Sequence, residues 1–209
     1  MPKDTFFNLP DKKRNNILEI AINEFYNYGY EKSSISRIVK DCGIAKGSFY
    51  QYFEDKDDLF AFILRTSGEK KLSYLNSLKS DFSDMNFFEL LKIIYTGSVD
   101  FLRDNNKLAE ITDKFLRNSP SDLKEKLLGE GIKKSNDFLE NLLKIAIGKN
   151  EIKSDIDILF ISHLLTDISI SLGDFIRNKY TDVSKINKEE YLRIIDQTLD
   201  FIKSGILSS

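Results

Sequence analysis

Side chains able to bind nucleic acid follow one another closely in the first quarter of the chain. Lys46 can donate hydrogen bonds to guanine acceptors or to a phosphate. Gly47 has no side chain, so the backbone there can approach DNA closely. Ser48 adds a short hydroxyl donor, and Tyr50 can carry a hydroxyl toward a phosphate. This spacing favours contact with bases and phosphates by the start of a short helix.

Residues suited to catalysis or to metal binding are scarce. The 209 residues include one Cys and one His, and no cluster has the spacing of a metal site or a catalytic site. We interpret Cys42 as a small packing residue, and a single Cys excludes an internal disulfide, as in a reducing compartment. We therefore predict no cofactor, no metal and no enzymatic activity. A helical enzyme or carrier is the alternative.

Two short helical patterns would position the donors. They cover 35–41 and 46–52, and Gly43 lies between them, where a tight turn needs a positive φ angle. This is the pattern of a helix-turn-helix whose second helix enters a DNA major groove. Ser33 or Ser34 should cap the first helix, and either hydroxyl can bind phosphate.

Other polar residues extend the predicted DNA surface. Arg37 points outward on the first short helix, and the hydroxyl of Tyr52 is expected to face the phosphates. Lys56 starts the next helix, where it can clamp a phosphate, and Asp55 is predicted to cap that helix. The alternative for each residue taken singly is an ordinary solvated surface.

Overall charge does not carry the DNA-binding prediction. The formal net charge is −2, and residues 1–56 contain nine Lys or Arg against eight Asp or Glu. DNA binding must therefore rest on where a few cations lie. No apolar run of about 18 residues and no cationic-then-apolar start occurs, so we expect no membrane span and a cytoplasmic location.

Several blocks between Lys12 and Phe60 occur in a characteristic order: an amphipathic helix ending at Gly29-Tyr30, the Ser33-Ser34 pair, residues 43–50, and residues 56–60. Together they resemble the DNA-binding domain of the TetR family of bacterial transcriptional regulators. The resemblance implies DNA contacts from Ser34, Ile44, Ala45, Lys46, Gly47, Tyr50, Tyr52 and Lys56. The residues alone add Ser33, Arg37 and Ser48. Ala45 stands where the family often has serine or threonine, so one cap or phosphate contact is expected to be missing.

Apolar residues recur at helical spacing along the whole chain, which predicts an all-α protein of about nine helices. We expect a helix-turn-helix domain over residues 1–54 and a helical effector-binding and dimerisation domain over residues 55–209. The helix from Asp55 to Leu78 would connect them. By resemblance, the partners are double-stranded operator DNA, a second copy of the chain and a small-molecule effector.

The predicted helix from Asp155 to Tyr180 carries a stripe of small residues that would let two helices approach closely. In similar proteins the last two helices of each subunit form the dimer interface. The residues predicted for that interface are Ser162, Thr166, Ser169, Gly173, Ile176, Leu192, Ile195 and Leu199. The alternative is that these residues form only the core of one chain.

Aromatic residues are plentiful, with 16 Phe and 9 Tyr, and some could line a cavity for an apolar or aromatic effector. His163 and Asp167, four residues apart, form either a surface pair or a polar part of that lining. The residues predicted for the pocket are Phe62, Tyr95, Phe101, Phe115, Phe138, His163 and Asp167.

These expectations point to a bacterial, nucleoid-associated repressor that its effector releases from DNA. Effector binding would shift the helix from Asp55 to Leu78 and change the separation of the two DNA-reading helices. The alternative is a DNA-binding protein without an effector, acting as an activator or in chromosome organisation.

Overall fold

The computed structural model describes residues 1–77, 85–180 and 182–207, without the side chains of residues 71–77, 130 and 184. Helices make up its regular structure, and the described ranges contain no strand, which confirms the all-α prediction. The helices are α1 (Asp4–Phe7), α2 (Asp11–Lys32), α3 (Ile35–Asp41), α4 (Lys46–Tyr52), α5 (Lys56–Ser77), α6 (Phe87–Asp104), α7 (Asn106–Asn118), α8 (Ser121–Gly148), α9 (Ile158–Lys179) and α10 (Lys188–Ile206), with a 3₁₀ helix at Val183–Lys185. The nine predicted helices are present, and α1 and the 3₁₀ helix are additional. The predicted end of α5 at Leu78 lies outside the described residues.

Two predicted helix caps have different outcomes. Asp55 caps α5, because its carboxylate accepts a hydrogen bond from the Asp58 backbone N–H at 2.8 Å. The cap predicted at Asp155 is wrong, since α9 begins at Ile158 and the carboxylate of Asp157 accepts from the Phe160 N–H at 3.0 Å. Both aspartates precede the apolar run, so the local pattern alone offers two acceptors for one helix start.

The chain divides into two compact units, and neither is continuous in sequence. The first comprises Met1–Glu69 and Lys107–Glu130, and the second comprises Lys70–Asn106 and Gly131–Ser209. The first unit therefore contains the two short helices together with α7 and the start of α8. The functional division after residue 54 stays a prediction.

An aromatic cluster forms the core of the first unit. The ring centroids of Phe25 and Phe60 are 4.6 Å apart, and those of Phe60 and Phe115 are 5.0 Å apart. Tyr30 joins the cluster, with its ring centroid 4.9 Å from that of Phe60. Tilted and edge-on rings at these distances add to the stability gained from burial. Through Phe115, α7 thus shares a core with α2 and α5.

Helix α6 is central to the second unit, where it packs against α9 and α10. A capping box starts α6. The Asn86 side chain accepts a hydrogen bond from the Glu89 backbone N–H, and the Glu89 carboxylate accepts one from the Asn86 backbone N–H. The buried Tyr95 hydroxyl donates to the Leu165 carbonyl at 3.0 Å. The buried Tyr95 hydroxyl therefore has a partner where the apolar side chains meet.

Candidate nucleic-acid interface

A tight turn at Gly43 connects α3 and α4. Its φ angle is +64°, in the left-handed region that favours glycine, which confirms the role predicted for this residue. The Gly43 N–H donates to the Lys40 carbonyl at 3.1 Å, and the Ile44 N–H donates to the Val39 carbonyl at 3.0 Å. These bonds close the end of α3 and direct the chain into α4.

Helix α4 is fixed by one face and exposes its start. Phe49 is fully buried, whereas Ala45, Lys46 and Gly47 are exposed and Tyr50 is 43% exposed. Ala45 occupies the N-cap position and forms no side-chain capping bond. The start of α4 therefore faces solvent with a lysine, a bare backbone and a nearby tyrosine.

Gly47 is not required by anything inside the protein. A Cβ added at this position would meet no atom within 4 Å, and its φ angle is not positive. Glycine inside a helix costs about 1 kcal/mol relative to alanine. The open space at Gly47 leaves room for the predicted close approach of DNA to the backbone, which stays a prediction.

Arg37 is partly buried and is held by contacts within the protein. Its Nη2 lies 2.6 Å from Oε1 of Glu24, which is only 6% exposed, and its guanidinium carbon lies 4.2 Å from the Tyr28 ring centroid. The same carboxylate accepts a hydrogen bond from the Ser34 N–H at 2.7 Å. Hydrogen bonding to Glu24 raises the pKa of Arg37. Arg37 and Glu24 thus fix the start of α3 on α2, and the role of Arg37 in DNA binding stays a prediction.

Ser33 and Lys56 also contact the protein itself. The buried Ser33 hydroxyl donates to the Tyr30 carbonyl at 2.7 Å, and the Lys56 ammonium donates to the same carbonyl at 2.8 Å. Neither Ser33 nor Ser34 caps α3 through its side chain, so that prediction is wrong. The Ser33 hydroxyl turns to the Tyr30 carbonyl instead, and Glu24 accepts the hydrogen bond of the Ser34 N–H at this helix start.

The predicted DNA-binding residues differ in their exposure. The exposed ones are Ala45, Lys46, Gly47 and Tyr50; the partly buried ones are Ser34, Arg37, Ile44, Ser48 and Lys56; the buried ones are Ser33 and Tyr52. The structure thus brings the exposed group together at the start of α4 and its next turn. Every one of these DNA contacts stays a prediction.

Sequence reasoning missed Glu24. This residue lies on the buried face of α2, which also carries Ile17, Ala21 and Phe25. A carboxylate at helical spacing within an apolar face was the available signal, because a buried charge needs a partner. Its partner Arg37 is 13 residues away and cannot be identified from spacing alone.

A polar chain connects α2, α5 and α8 within the first unit. The Tyr30 hydroxyl donates to the Asp57 carboxylate, and the Lys126 ammonium lies 2.5 Å from the same carboxylate. Burial raises the pKa of Asp57, but the hydrogen bonds from Lys126 and Tyr30 outweigh it and leave this pKa below its ordinary value. Asp57 is therefore an anion at neutral pH that holds the start of α8 against the end of α2.

Cys42 behaves as the sequence suggested. Its side chain is half-buried, and burial together with the nearby Asp41 carboxylate raises the pKa of the thiol to about 11. A thiol with such a pKa stays protonated at neutral pH and is a poor nucleophile.

The seven predicted pocket residues are divided between the two units. Phe62 and Phe115 belong to the first unit, and the other five belong to the second. Tyr95 and Phe101 are buried there, whereas Phe138, His163 and Asp167 are exposed. Their role in effector binding stays a prediction.

The residues predicted for the dimer interface are largely turned into the protomer. Ser162, Ile176, Ile195 and Leu199 are buried, and Ser162 has no exposed surface at all. Thr166, Ser169, Gly173 and Leu192 are partly buried. A side chain already buried in its own chain has little further surface to lose to a second copy, and the role of these eight residues in a dimer stays a prediction.

Comparison with known proteins agrees with this interface. Residues 17–63 match the family model described as bacterial regulatory proteins, tetR family. The chain is 25% identical over 191 residues to the fatty acid metabolism regulator protein of Bacillus subtilis, an alignment that covers 91% of this chain and 93% of the relative.

Solved structures show the same architecture. A TetR family transcriptional regulator from Chloroflexus aurantiacus is 26% identical and superposes over the whole of both chains with a TM-score of 0.77. FadR from Bacillus subtilis in complex with stearoyl-CoA is 23% identical, with a TM-score of 0.72 over 91% of this chain and 98% of that one. Taken with the exposed start of α4, these matches show that the chain is a DNA-binding transcriptional regulator whose residues 17–63 match the tetR family.

Proposed function

We propose that this regulator represses its target genes by placing α4 in the DNA major groove, and that a long-chain acyl-CoA releases it. The exposed start of α4, where Gly47 meets open space and Lys46 points to solvent, carries the DNA-binding part of the proposal. In a helix-turn-helix these first residues of the second helix read base edges.

The effector part of the proposal rests on relationship. The Bacillus subtilis relative that aligns over nine-tenths of this chain is a regulator of fatty acid metabolism. The fold is also that of FadR in complex with stearoyl-CoA. An acyl chain fits the expectation of a largely apolar effector, and it would favour the DNA-incompetent state by binding it more tightly.

A homodimer supplies the two-fold symmetry that paired half-sites require. We place its interface on the exposed apolar strip of α9 and α10. Phe160 is 62% exposed, Phe201 is 76% exposed, and Leu164 and Phe175 are also exposed. On α9 these residues follow one another at helical spacing, on the side next to the one that carries the buried Leu165 and Leu172.

The composition of α9 supports this placement. By length and composition α9 is the one helix in the described ranges that is apolar enough to cross a membrane. Only 17% of its most apolar 18-residue stretch is buried in the protomer. Exposed apolar surface of this kind marks an interaction site. A second copy of the chain covers it without invoking a membrane.

The proposed mechanism consists of binding alone, so we assign no catalytic step to any residue. The relatives are transcriptional regulators, which act by occupying DNA. Such a protein works beside the chromosome, and we therefore propose a nucleoid-associated, cytoplasmic location.

A binding experiment tests the proposal. Operator DNA is selected from a random library with the purified protein, and affinity is measured by fluorescence anisotropy at fixed salt. We expect Lys46→Ala to weaken operator binding by about tenfold or more, with Lys149→Ala as an exposed lysine control. Stearoyl-CoA should release the wild-type protein, whereas CoA and stearate should not.

Three outcomes separate the parts of this proposal. Failure to select any sequence would refute repression through a specific operator. Normal binding by Lys46→Ala would refute the placement of α4. Specific binding that no acyl-CoA relieves would favour a DNA-binding protein controlled in another way.

A further inference from the structure

The carboxyl end of α4 is closed by a segment that precedes the helix-turn-helix. The last four carbonyls of a helix have no partner within it, and α4 has only seven residues. The Phe49 carbonyl accepts from the Phe53 N–H at 2.9 Å, just beyond the helix. The remaining three carbonyls, those of Tyr50, Gln51 and Tyr52, all accept hydrogen bonds from residues 3–5.

Lys3 and Thr5 make these three contacts. The Lys3 ammonium donates to the Tyr50 carbonyl at 2.8 Å, and the Lys3 N–H donates to the Tyr52 carbonyl at 2.8 Å. The Thr5 hydroxyl donates to the Gln51 carbonyl. A cation near a helix carboxyl end also interacts favourably with the helix dipole.

Phe6 anchors the segment by burial. Its side chain has no exposed surface, and its ring centroid lies 4.7 Å from that of Phe53 and 5.7 Å from that of Phe62. Phe62, which was predicted for the effector pocket, therefore contacts this segment. Arg14 fixes the end that leads into α2, because its Nη1 donates to the Phe7 carbonyl at 2.9 Å. We name residues 3–9 the N-terminal clasp.

Isolated helices shorter than about 12 residues are marginal in water. The seven-residue α4 therefore needs outside contacts to hold its conformation, and the clasp supplies them. Sequence readout needs side chains held within roughly 0.5 Å of their working positions. The clasp binds the end of α4 opposite Lys46 and Gly47. It also lies outside residues 17–63, the part of the chain that matches the family model.

We propose that Lys3, Thr5 and Phe6 are positioning residues that set the operator affinity and the sequence discrimination of α4 from its far end. This proposal rests on the proposed function, since it assumes that α4 reads DNA. It gives the segment before the helix-turn-helix a role in recognition that requires no contact with DNA.

The test compares Thr5→Val, which removes one hydroxyl without changing charge, with Thr5→Ser, which keeps it. Phe6→Leu tests the anchor, and Asn15→Ala, an exposed change on α2, is the control. Anisotropy at 25 °C gives affinity for the selected operator and for a scrambled duplex across a salt series. Thermal melting shows that each variant is folded at that temperature.

We expect Thr5→Val and Phe6→Leu to weaken operator binding by about tenfold and to lower the ratio of operator to scrambled-duplex affinity. The salt dependence should not change, because no phosphate contact is lost. Thr5→Ser should restore both values. A Lys3→Met variant should behave like Thr5→Val, whereas a salt slope reduced by about one would instead mean that Lys3 binds phosphate and would overturn its positioning role.

Two other results would overturn the clasp. One is unchanged affinity and unchanged discrimination in folded Thr5→Val and Phe6→Leu. The other is a lower melting temperature with normal binding at 25 °C, which would make the segment merely structural. If the wild-type protein selects no operator at all, the proposed function itself is refuted. This result differs from the two above, in which the wild-type protein binds its operator and only the positioning role is refuted.

Discussion

Gly47 is informative because glycine destabilises helix α4 relative to alanine and nothing within the free protein requires it. The residue is exposed, its φ angle is ordinary, and an added Cβ would meet no atom within 4 Å. Under the proposed function, glycine at this position lets DNA approach the backbone of α4. The same reasoning does not apply to Gly43, whose φ of +64° accounts for it within the turn.

We predict that Gly47→Ala separates stability from function. The melting temperature should rise by roughly 2–4 °C, because alanine favours the helix by about 1 kcal/mol. Operator affinity should fall by about tenfold or more, since a methyl group would enter the space that DNA occupies. Thermal melting and fluorescence anisotropy measure the two effects.

Gly68→Ala is the matched control, because Gly68 is an exposed helical glycine of α5 whose added Cβ also meets nothing within 4 Å. It should raise the melting temperature to a similar extent and leave operator affinity unchanged. A Gly47→Ala protein that binds operator normally would show that DNA does not approach this backbone.

Helix α8 is held on the first unit by a carboxylate rather than by apolar contact alone. Asp57, at the start of α5, accepts from the Tyr30 hydroxyl and pairs with Lys126 of α8. Asp57 therefore links side chains of α2, α5 and α8. The effect of such a pair on stability should depend on pH, because its carboxylate titrates at a lower pH in the folded protein.

We predict that Asp57→Asn lowers the melting temperature at pH 7 by about 2–4 °C, the effect of one weak ion pair in a chain of this size. The pKa of Asp57 is depressed in the folded state, so its stabilisation is complete above the unfolded pKa and disappears as pH falls through the folded value. The difference between variant and wild type should therefore shrink toward about pH 3.

Thermal melting at the two pH values checks this prediction. Asp137→Asn, which changes an exposed carboxylate on the second-unit part of α8, is the control and should have little effect at either pH. An Asp57→Asn deficit that is the same at pH 7 and at low pH would show that the ion pair contributes nothing through its charge.

The regulator is expected to work as a pair of chains, and we have proposed its exposed apolar strip as the place where the pair forms. Phe160 and Leu164 on α9 and Phe201 on α10 lie exposed although the neighbouring faces of both helices are packed. Two DNA-reading helices held in one particle bind half-sites together, and this avidity exceeds the affinity of either one.

We predict that Phe160→Ser combined with Phe201→Ser yields a folded monomer. Analytical ultracentrifugation should give a mass near the 24.2 kDa of one chain, and operator affinity should fall by roughly a hundredfold through lost avidity. Phe138→Ser is the control, since Phe138 is an exposed aromatic residue of α8 outside the proposed strip. A double variant that remains dimeric would refute this interface.

Much of the fold was accessible from local patterns. Helical periodicity predicted the nine main helices, Gly43 marked the turn, and the order of motifs identified the family. These features depend on residues within a few turns of one another. For the DNA surface, the pattern predicted Lys46 and Gly47 at the start of α4, and the structure places both there in solvent.

Patterns alone could not assign the apolar faces of α9 and α10. Both helices have apolar residues on more than one side, and a helical wheel does not tell which side another part of the same chain covers. The prediction placed Ser162, Ile195 and Leu199 in the dimer interface, whereas the structure buries them in the protomer. Phe160 and Phe201 are left exposed instead.

Pairings between distant residues required the folded chain. Arg37 looks available for DNA in the sequence, yet it is paired with Glu24, and the Thr5 hydroxyl reaches a carbonyl 46 residues away. The physical reason is that helix formation depends on neighbours three and four positions apart, whereas burial and long-range hydrogen bonding depend on which elements pack together. The amino-acid order therefore specified the helices, the turn and the family resemblance, and packing determined which donors are paired within the chain and which apolar side chains stay exposed.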